Sequence, residues 1–103
     1  MESERRKDER ISVSLEAKFF GGAQGGARIS DISLGGCYVE TIAYFNAGDV
    51  IDVEIKMPNG TWLSLKGKIS YTHPSMGFGM RFHDLSQYEL DVLSGLMDYE
   101  KQK

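Results

Sequence analysis

VIDVEIKMPNGTWLSLKGKISYTH, residues 50–73, is the stretch that decides the fold. Apolar and polar residues alternate in both of its arms, which is the period of a half-buried β-strand. Between the arms stands Pro58-Asn59-Gly60, and the Asn-Gly pair tolerates the positive φ that a tight hairpin requires. The stretch therefore predicts two antiparallel strands, 50–57 and 62–73, and the second strand places these residues on one face: Leu63, Leu65, Gly67, Ile69 and Tyr71.

The same alternation extends on both sides of this hairpin. It predicts four more strands, at 11–20, 27–32, 37–43 and 78–83, separated by a flexible GGAQGG turn (21–26), the turn SLGG (33–36), a loop around 46–49 and a turn at 74–77. A sheet of about six strands with short connections closes, or nearly closes, into an antiparallel barrel, because closure removes exposed strand edges. We therefore expect an all-β domain built as a six-stranded antiparallel β-barrel.

One helix is predicted after the last strand. Ser86 is a suitable N-cap, and Glu89 three residues later completes a capping box. Apolar residues then fall at helical spacing and form one face of the helix: Leu90, Leu93, Leu96 and Met97. This face is expected to pack over one end, or one seam, of the barrel.

Length and composition set limits on the class of protein. A chain of 103 residues with 41% hydrophobic residues is expected to form one domain with one modest core. Cys37 is the single cysteine, so an intrachain disulfide is excluded, which fits a reducing compartment. The sequence has neither a membrane-spanning apolar run nor a signal-peptide core, so we expect a cytoplasmic protein without membrane insertion. The net charge of −3 argues against a general DNA or RNA coat.

Signals for catalysis are weak. The two histidines, His73 and His83, and the distant Cys37 do not have the spacing of a metal site. No glycine-rich loop leads from a strand into a helix, so a phosphate-binding fingerprint is absent from the sequence. We interpret Cys37 as a small core residue and the histidines as surface or packing residues. The sequence therefore predicts a protein that is not an enzyme and that needs no cofactor.

The segment DISLGG, residues 31–36, is the most informative polar stretch. Asp31 and Ser33 are two positions apart, which on a strand would put both on one face, and Gly36 would let a ligand approach the backbone. A carboxylate can accept from the adjacent N1–H and N2 amino donors of a guanine. The alternative is that Asp31 and Ser33 only cap a tight turn, which is their usual use.

The segment RRKDER, residues 5–10, holds three arginines. The first ten residues carry four positive and four negative charges, so the segment is not a basic tail that attracts anions by its overall field. A guanidinium fork can, however, match a guanine edge (O6 and N7) or a phosphate. The alternative is a solvated leader.

These segments together resemble one family. Arg6 and Arg10 have the form RxxxR, residues 31–36 have the form DxSxxG, and GFGMRF (77–82) is followed by a capped helix. In this order and register they resemble the PilZ domain, over residues 5–99. The resemblance implies a stand-alone PilZ domain that divides into a mobile N-terminal segment, 1–10, and a barrel with its helix, 11–103.

The resemblance also implies a ligand, the bacterial second messenger cyclic di-GMP. Carried over to this sequence, it assigns Arg6 and Arg10 to guanine edges and phosphates, and Asp31 to a guanine Watson–Crick edge. Ser33 would bond guanine or phosphate, and Gly36 would leave room for the ligand. On binding, residues 1–10 would fold over the dinucleotide and present a new surface to a partner protein that the sequence does not identify.

Two further residues follow from the resemblance. Tyr71 matches, loosely, a strand position where family members place an aromatic ring near a guanine. Arg5 stands directly before RxxxR, where an arginine is associated with two stacked dinucleotides and an apolar residue with one. We therefore expect up to two cyclic di-GMP molecules per chain.

Three alternatives stay open at this point. The first is a PilZ-like adaptor that binds proteins and no nucleotide, although the intact motifs count against it. The second is a small barrel that binds single-stranded nucleic acid, which the neutral barrel charge disfavours. The third is a hydrolase, for which the sequence offers no catalytic constellation.

Overall fold

The structure is a computed structural model that describes residues 9–19 and 26–103. Residues 1–8, with Arg5 and Arg6, and residues 20–25 lie outside the described residues; the second segment holds the last residue of the predicted first strand and residues 21–25 of the predicted glycine-rich turn. Predictions about those two segments are therefore not tested by the coordinates.

The described residues form six strands and one helix. The strands are β1 (Ile11–Phe19), β2 (Ala27–Ile32), β3 (Gly36–Glu40), β4 (Val50–Lys56), β5 (Trp62–His73) and β6 (Gly77–Phe82). They close into a barrel with the order β1-β2-β3-β6-β5-β4, and every neighbouring pair is antiparallel. The predicted six-stranded antiparallel barrel with a C-terminal helix is confirmed.

The strand bounds differ most from the prediction at β3. We expected a strand at 37–43, but β3 ends at Glu40. The backbone N–H of Thr41 donates to the Met76 carbonyl, and the Thr41 hydroxyl accepts from the backbone N–H of Ala43. The second bond is local to the turn, and residues 41–43 belong to the loop that precedes β4.

The core fills the inside of the barrel, into which roughly every second residue of each strand points. Its fully buried members come from strands β2 to β6 and the helix: Ile29, Ile32, Cys37, Val39, Val53, Ile55, Leu65, Ile69, Phe78, Met80 and Leu93. Cys37 is a core residue, as predicted. Burial raises the pKa of the Cys37 thiol to about 12, and the Asp31 carboxylate adds to the shift while Arg10 opposes it.

A β-bulge in β5 changes which face a residue occupies. The pairing register shifts between Ile69 and Tyr71 on β5, so the alternation that buries Ile69 does not continue to Tyr71. The Tyr71 side chain is 48% exposed on the outside of the barrel. The prediction that Tyr71 shares one face with Ile69 is therefore wrong, because a bulge adds a residue that a strict period of two does not contain.

The helix α1 (Gln87–Lys101) follows β6 and packs against β1 at one end of the barrel. The predicted capping box is present: the Ser86 hydroxyl accepts from the Glu89 N–H, and the Glu89 carboxylate accepts from the Ser86 N–H. Its buried face consists of Leu93, Leu96 and Met97. No helix in the described ranges is long and apolar enough to cross a membrane.

The opposite end of the barrel is closed by aromatic rings. Phe45, from the loop between β3 and β4, lies 5.0 Å from Phe19 and 5.3 Å from Phe78, measured between ring centroids. The β2–β3 turn lies at the helix end, because Ile32 at the end of β2 pairs with Ile11 at the start of β1. The sequence motifs are therefore placed at the end that α1 covers.

Candidate functional site

Arg10 and Asp31 meet at the helix end of the barrel. Arg10 precedes β1, Asp31 lies near the end of β2, and the Arg10 Nη1 atom is 2.5 Å from the Asp31 Oδ1 atom. Both side chains are partly exposed, at 51% for Arg10 and 37% for Asp31. The second arginine of RxxxR thus contacts the carboxylate of DxSxxG, across 21 positions of sequence.

The residue before Arg10 is also held by the folded domain. The Lys101 ammonium of α1 donates to the Glu9 carboxylate at 2.9 Å. Residues 9 and 10 of the predicted N-terminal segment are therefore bonded to α1 and β2, respectively. Arg5 and Arg6, the other arginines assigned to the ligand, lie outside the described residues.

Ser33 is buried and shapes the β2–β3 turn. Its side chain is 4% exposed, and its hydroxyl accepts from the N–H groups of Gly35 and Gly36, each at 3.1 Å. The same hydroxyl lies 3.3 Å from the Gly36 carbonyl, to which it can donate. The expectation that Asp31 and Ser33 share a strand face is wrong, because β2 ends at Ile32 and Ser33 is the first residue of the turn. The turn-capping alternative describes Ser33 but not Asp31.

Gly36 is required by the pairing of β3 with β6. A Cβ atom at this position would collide with the backbone carbonyl oxygen of Met80 and would lie 3.2 Å from the Arg81 Cα. Backbone atoms of a paired strand cannot move aside as a flexible side chain can. Gly36, the last residue of DxSxxG, therefore has a structural reason to be glycine that does not depend on a ligand.

An exposed aromatic row continues from Asp31 around the barrel. Asp31 is opposite Tyr38 on β3, Tyr38 is opposite Gly79 on β6, and Gly79 is opposite Tyr71 on β5. The Tyr71 ring lies across Gly79, where a Cβ would be 2.5 Å from the ring atom Cε1. We refer to this outer side of β2, β3, β6 and β5 as the open face. A carboxylate, two phenol rings and the glycine backbone that the Tyr71 ring covers share it, so it offers both hydrogen-bond acceptors and stacking surfaces.

Tyr38 and His73 are open-face residues that the sequence analysis did not assign to the site. The Tyr38 hydroxyl and the His73 Nδ1 atom are 2.9 Å apart and form a hydrogen bond. Burial of the phenol raises the pKa of Tyr38, and the nearby Tyr71, Glu40 and Asp31 groups add to the shift. The outward position of Tyr38 was readable from its place after Cys37 in an alternating strand, but its proximity to Asp31 required the strand register.

The other candidates for chemistry are accounted for by local contacts. His83 lies 3.2 Å from the Asp84 carboxylate at the end of β6. Within residues 9–19 and 26–103, no group of three or more His, Cys, Asp or Glu side chains is placed to hold a metal ion.

The barrel order, the motif pair and the capped helix together define the class of protein. Residues 4–98 of the chain match the PilZ domain family. The chain therefore belongs to the PilZ domain family. No curated protein matches the sequence.

Solved structures share this fold at low sequence identity. The Bacillus subtilis inhibitor of motility MotI/DgrA superposes with a TM-score of 0.73 at 13% identity, over 91% of this chain and 50% of that one. An uncharacterised Legionella protein gives 0.56 at 17% identity, over 90% of this chain and 98% of that one. PlzA of Borreliella burgdorferi, solved in complex with c-di-GMP, gives 0.53 at 21% identity, over 95% of this chain and 36% of that one. The chain spans only half or less of MotI/DgrA and of PlzA.

Proposed function

We propose that this protein is a cytoplasmic receptor for cyclic di-GMP, which it binds on the open face next to the β2–β3 turn. One observation carries the proposal: the Arg10 guanidinium forms an ion pair with the Asp31 carboxylate, so the second arginine of RxxxR lies beside the carboxylate of DxSxxG. Membership of the PilZ family and the c-di-GMP complex of the similar protein PlzA support the choice of ligand.

The ion pair must exchange partners when the ligand arrives. A guanine would give its N1–H and N2 donors to the Asp31 carboxylate, and Arg10 would turn to a phosphate or a base edge. An ion pair between exposed side chains contributes only about 0–1 kcal/mol. Displacing Arg10 from Asp31 therefore costs little compared with the charge-assisted hydrogen bonds that both groups gain.

Signalling would follow from the position of Arg10 in the chain. Residues 1–10 would change conformation as Arg6 and Arg10 engage the ligand, and the surface formed in this way would be recognised by a partner protein. Because Glu9 is bonded to Lys101, a movement of residue 10 would also disturb the contact with α1. The receptor would act as an adaptor and would need no catalytic group.

Titration calorimetry tests the proposal. Wild-type protein is titrated with cyclic di-GMP, cyclic di-AMP and the mixed cyclic GMP–AMP. We expect the tightest binding for cyclic di-GMP, since each guanine supplies donors to Asp31. The proposal fails if a folded wild-type protein gives no binding heat and no change in melting temperature with cyclic di-GMP.

The stoichiometry has its own test. We propose that Arg5 supports a second, stacked dinucleotide, because an added guanidinium compensates phosphate charge and offers a planar face. We expect close to two molecules per chain for the wild type and close to one for Arg5→Leu, with binding retained. A ratio of one for the wild type would remove this role from Arg5.

A second candidate is an adaptor of the same fold that binds proteins without any nucleotide. The structural roles of Ser33 and Gly36 favour it, since both residues serve the turn and the strand pairing in the absence of ligand. The same titration separates the two functions, because only the receptor responds to cyclic di-GMP.

A further inference from the structure

Two cations face each other across adjacent strands of the open face. Arg81 on β6 is directly opposite Lys68 on β5, and their outer neighbours in the same row are Gly36 on β3 and Val50 on β4. Glycine and valine cannot neutralise them. Like charges placed directly opposite each other in a sheet are destabilising, so this pair is a cost to the unliganded barrel.

Five other cations of the described chain form ion pairs with carboxylates. Arg10, Lys18, Lys56, Lys101 and Lys103 each lie within 4.0 Å of a carboxylate. Within residues 9–19 and 26–103, no carboxylate is placed at this distance from Lys68 or Arg81. Lys68 and Arg81 therefore form a pair of like charges on the open face, although the protein as a whole has a net charge of −3.

The two cations line an open cleft of about 560 Å³. Its polar lining consists of Lys68, Ser70, Arg81 and His83, and the remaining lining residues are apolar or glycine. No acidic side chain is among the residues that line it. The cleft thus combines a guanidinium fork, an ammonium group and a hydroxyl, which are groups that hold a phosphate.

The cleft adjoins the proposed dinucleotide site. Arg81 is the cross-strand partner of Gly36, as Tyr38 is of Asp31. With strands about 4.8 Å apart and residues about 3.4 Å apart along a strand, the Arg81 backbone is roughly 12 Å from that of Asp31. A ligand seated between Asp31 and Gly36 would therefore bring its far side within reach of the Arg81 side chain.

We propose that Lys68 and Arg81 bind a phosphate group of cyclic di-GMP on the side of the site away from Arg10. The inference rests on the proposed function, and it adds two binding residues that lie outside the RxxxR and DxSxxG motifs. The bound phosphate would neutralise the pair and remove its mutual repulsion. Arg81 contributes more than Lys68, since a guanidinium can make two parallel bonds to a phosphate whereas an ammonium is a point charge.

The experiment compares Arg81→Gln, Lys68→Gln and the charge-matched control Arg28→Gln by calorimetry with cyclic di-GMP at low and high ionic strength. Arg28 is exposed and bonds the Ser14 hydroxyl, away from the cleft. We expect affinity to fall about tenfold for Arg81→Gln and about threefold for Lys68→Gln, and to be unchanged for Arg28→Gln. The losses should shrink at high salt, because screening weakens charge interactions at exposed sites.

Melting curves without ligand provide a second measurement. Arg81→Gln and Lys68→Gln should melt at or slightly above the wild-type temperature, because each relieves the like-charge contact. The inference is overturned if both variants bind cyclic di-GMP as tightly as the wild type, or if Arg28→Gln weakens binding as much as Arg81→Gln. Failure of the proposed function looks different: the wild type itself would then show no binding.

Discussion

Two outer faces of the barrel differ in how their charged side chains are paired. On β1 and β4, which we call the paired face, Lys18 lies 3.7 Å from Glu54 and Lys56 lies 3.8 Å from Glu16. The Lys18 ammonium also lies 4.2 Å from the centre of the Trp62 ring. On the open face, Arg81 is opposite Lys68 and the backbone of Gly79 is covered only by a tyrosine ring.

The difference separates what the fold needs from what a ligand needs. On the paired face both lysines already have a carboxylate partner on the neighbouring strand, so an added anion would have to displace that partner. The open face leaves like charges together and presents aromatic rings and a carboxylate to solvent. A sheet selected for stability alone would resemble the paired face, so the open face is where binding is expected to be sensitive to mutation.

The largest expected loss of ligand affinity comes from a mutation at Asp31 on the open face. Asp31→Ala should weaken cyclic di-GMP binding by about 3 kcal/mol, roughly 100-fold, since the guanine donors lose a charged acceptor. The melting temperature without ligand should stay near that of the wild type, because the Arg10–Asp31 pair is partly exposed. Calorimetry and a thermal melt measure the two quantities.

The matched control lies on the paired face. Glu54→Ala also removes a carboxylate from an ion pair with a cation, and it should leave cyclic di-GMP affinity unchanged. Equal affinity of Asp31→Ala and Glu54→Ala would mean that the open face is not the binding face.

The next effect concerns stability rather than binding. Gly36→Ala should lower the free energy of unfolding by about 1–3 kcal/mol, because its Cβ collides with the backbone of β6. Gly95→Ala on α1 is the control: its Cβ meets open space, and alanine in a helix should add about 0.5–1 kcal/mol. Urea denaturation measures both. A fully stable Gly36→Ala protein would show that the glycine serves only the ligand.

A smaller loss of ligand affinity is expected from mutations in the tyrosine row of the open face. Tyr71→Ala should weaken cyclic di-GMP binding by about 1 kcal/mol, the lower end of the range for stacking a base on an aromatic ring. Gly79→Ala should produce a similar loss, since its Cβ would push the exposed Tyr71 ring aside without meeting backbone. If Tyr71→Ala binds as the wild type does, the ring is only a cover for β6.

The smallest effect is a pH dependence on the open face. The pKa of Tyr38 is raised in the folded protein, mainly by burial, so the folded state keeps the phenol proton that the unfolded chain releases near pH 10. Stability from this group is therefore present below about pH 10 and is lost as the pH rises further. Tyr38→Phe should lose less stability than the wild type between pH 10 and 11, as measured by urea denaturation. Parallel curves would contradict the shift.

Sequence patterns were sufficient to predict the barrel but not the arrangement of side chains on its open face. The hairpin at Asn59-Gly60 and the alternation of 50–73 predicted β4 and β5 within one residue, because the buried face of a strand must recur every second position. The capping box predicted the start of α1 for a similarly local reason. Both features could be predicted because a tight turn and a helix cap are determined by residues close together in sequence.

The site residues depend on information that no local pattern holds. Tyr71 was predicted to share the face of Ile69 because the bulge beside Ile69 leaves no mark in the composition of the strand. Lys68 and Arg81 are opposite each other only through the register of two strands. The roles of Arg6 and Arg10 came from the family resemblance, and only Arg10 is described by the structure.

The reactivity of the Cys37 thiol can measure how often the barrel opens locally. Its side chain is fully buried, and its pKa of about 12 leaves almost no reactive thiolate at neutral pH. A thiol reagent can therefore label the protein only when the barrel transiently opens between β3 and its neighbours. Cys37 pairs with Ile32 and Met80 and directly follows Gly36. The labelling rate of the native protein thus reports the opening of the seam beside the open face, and a ligand bound there would slow it in proportion to its occupancy.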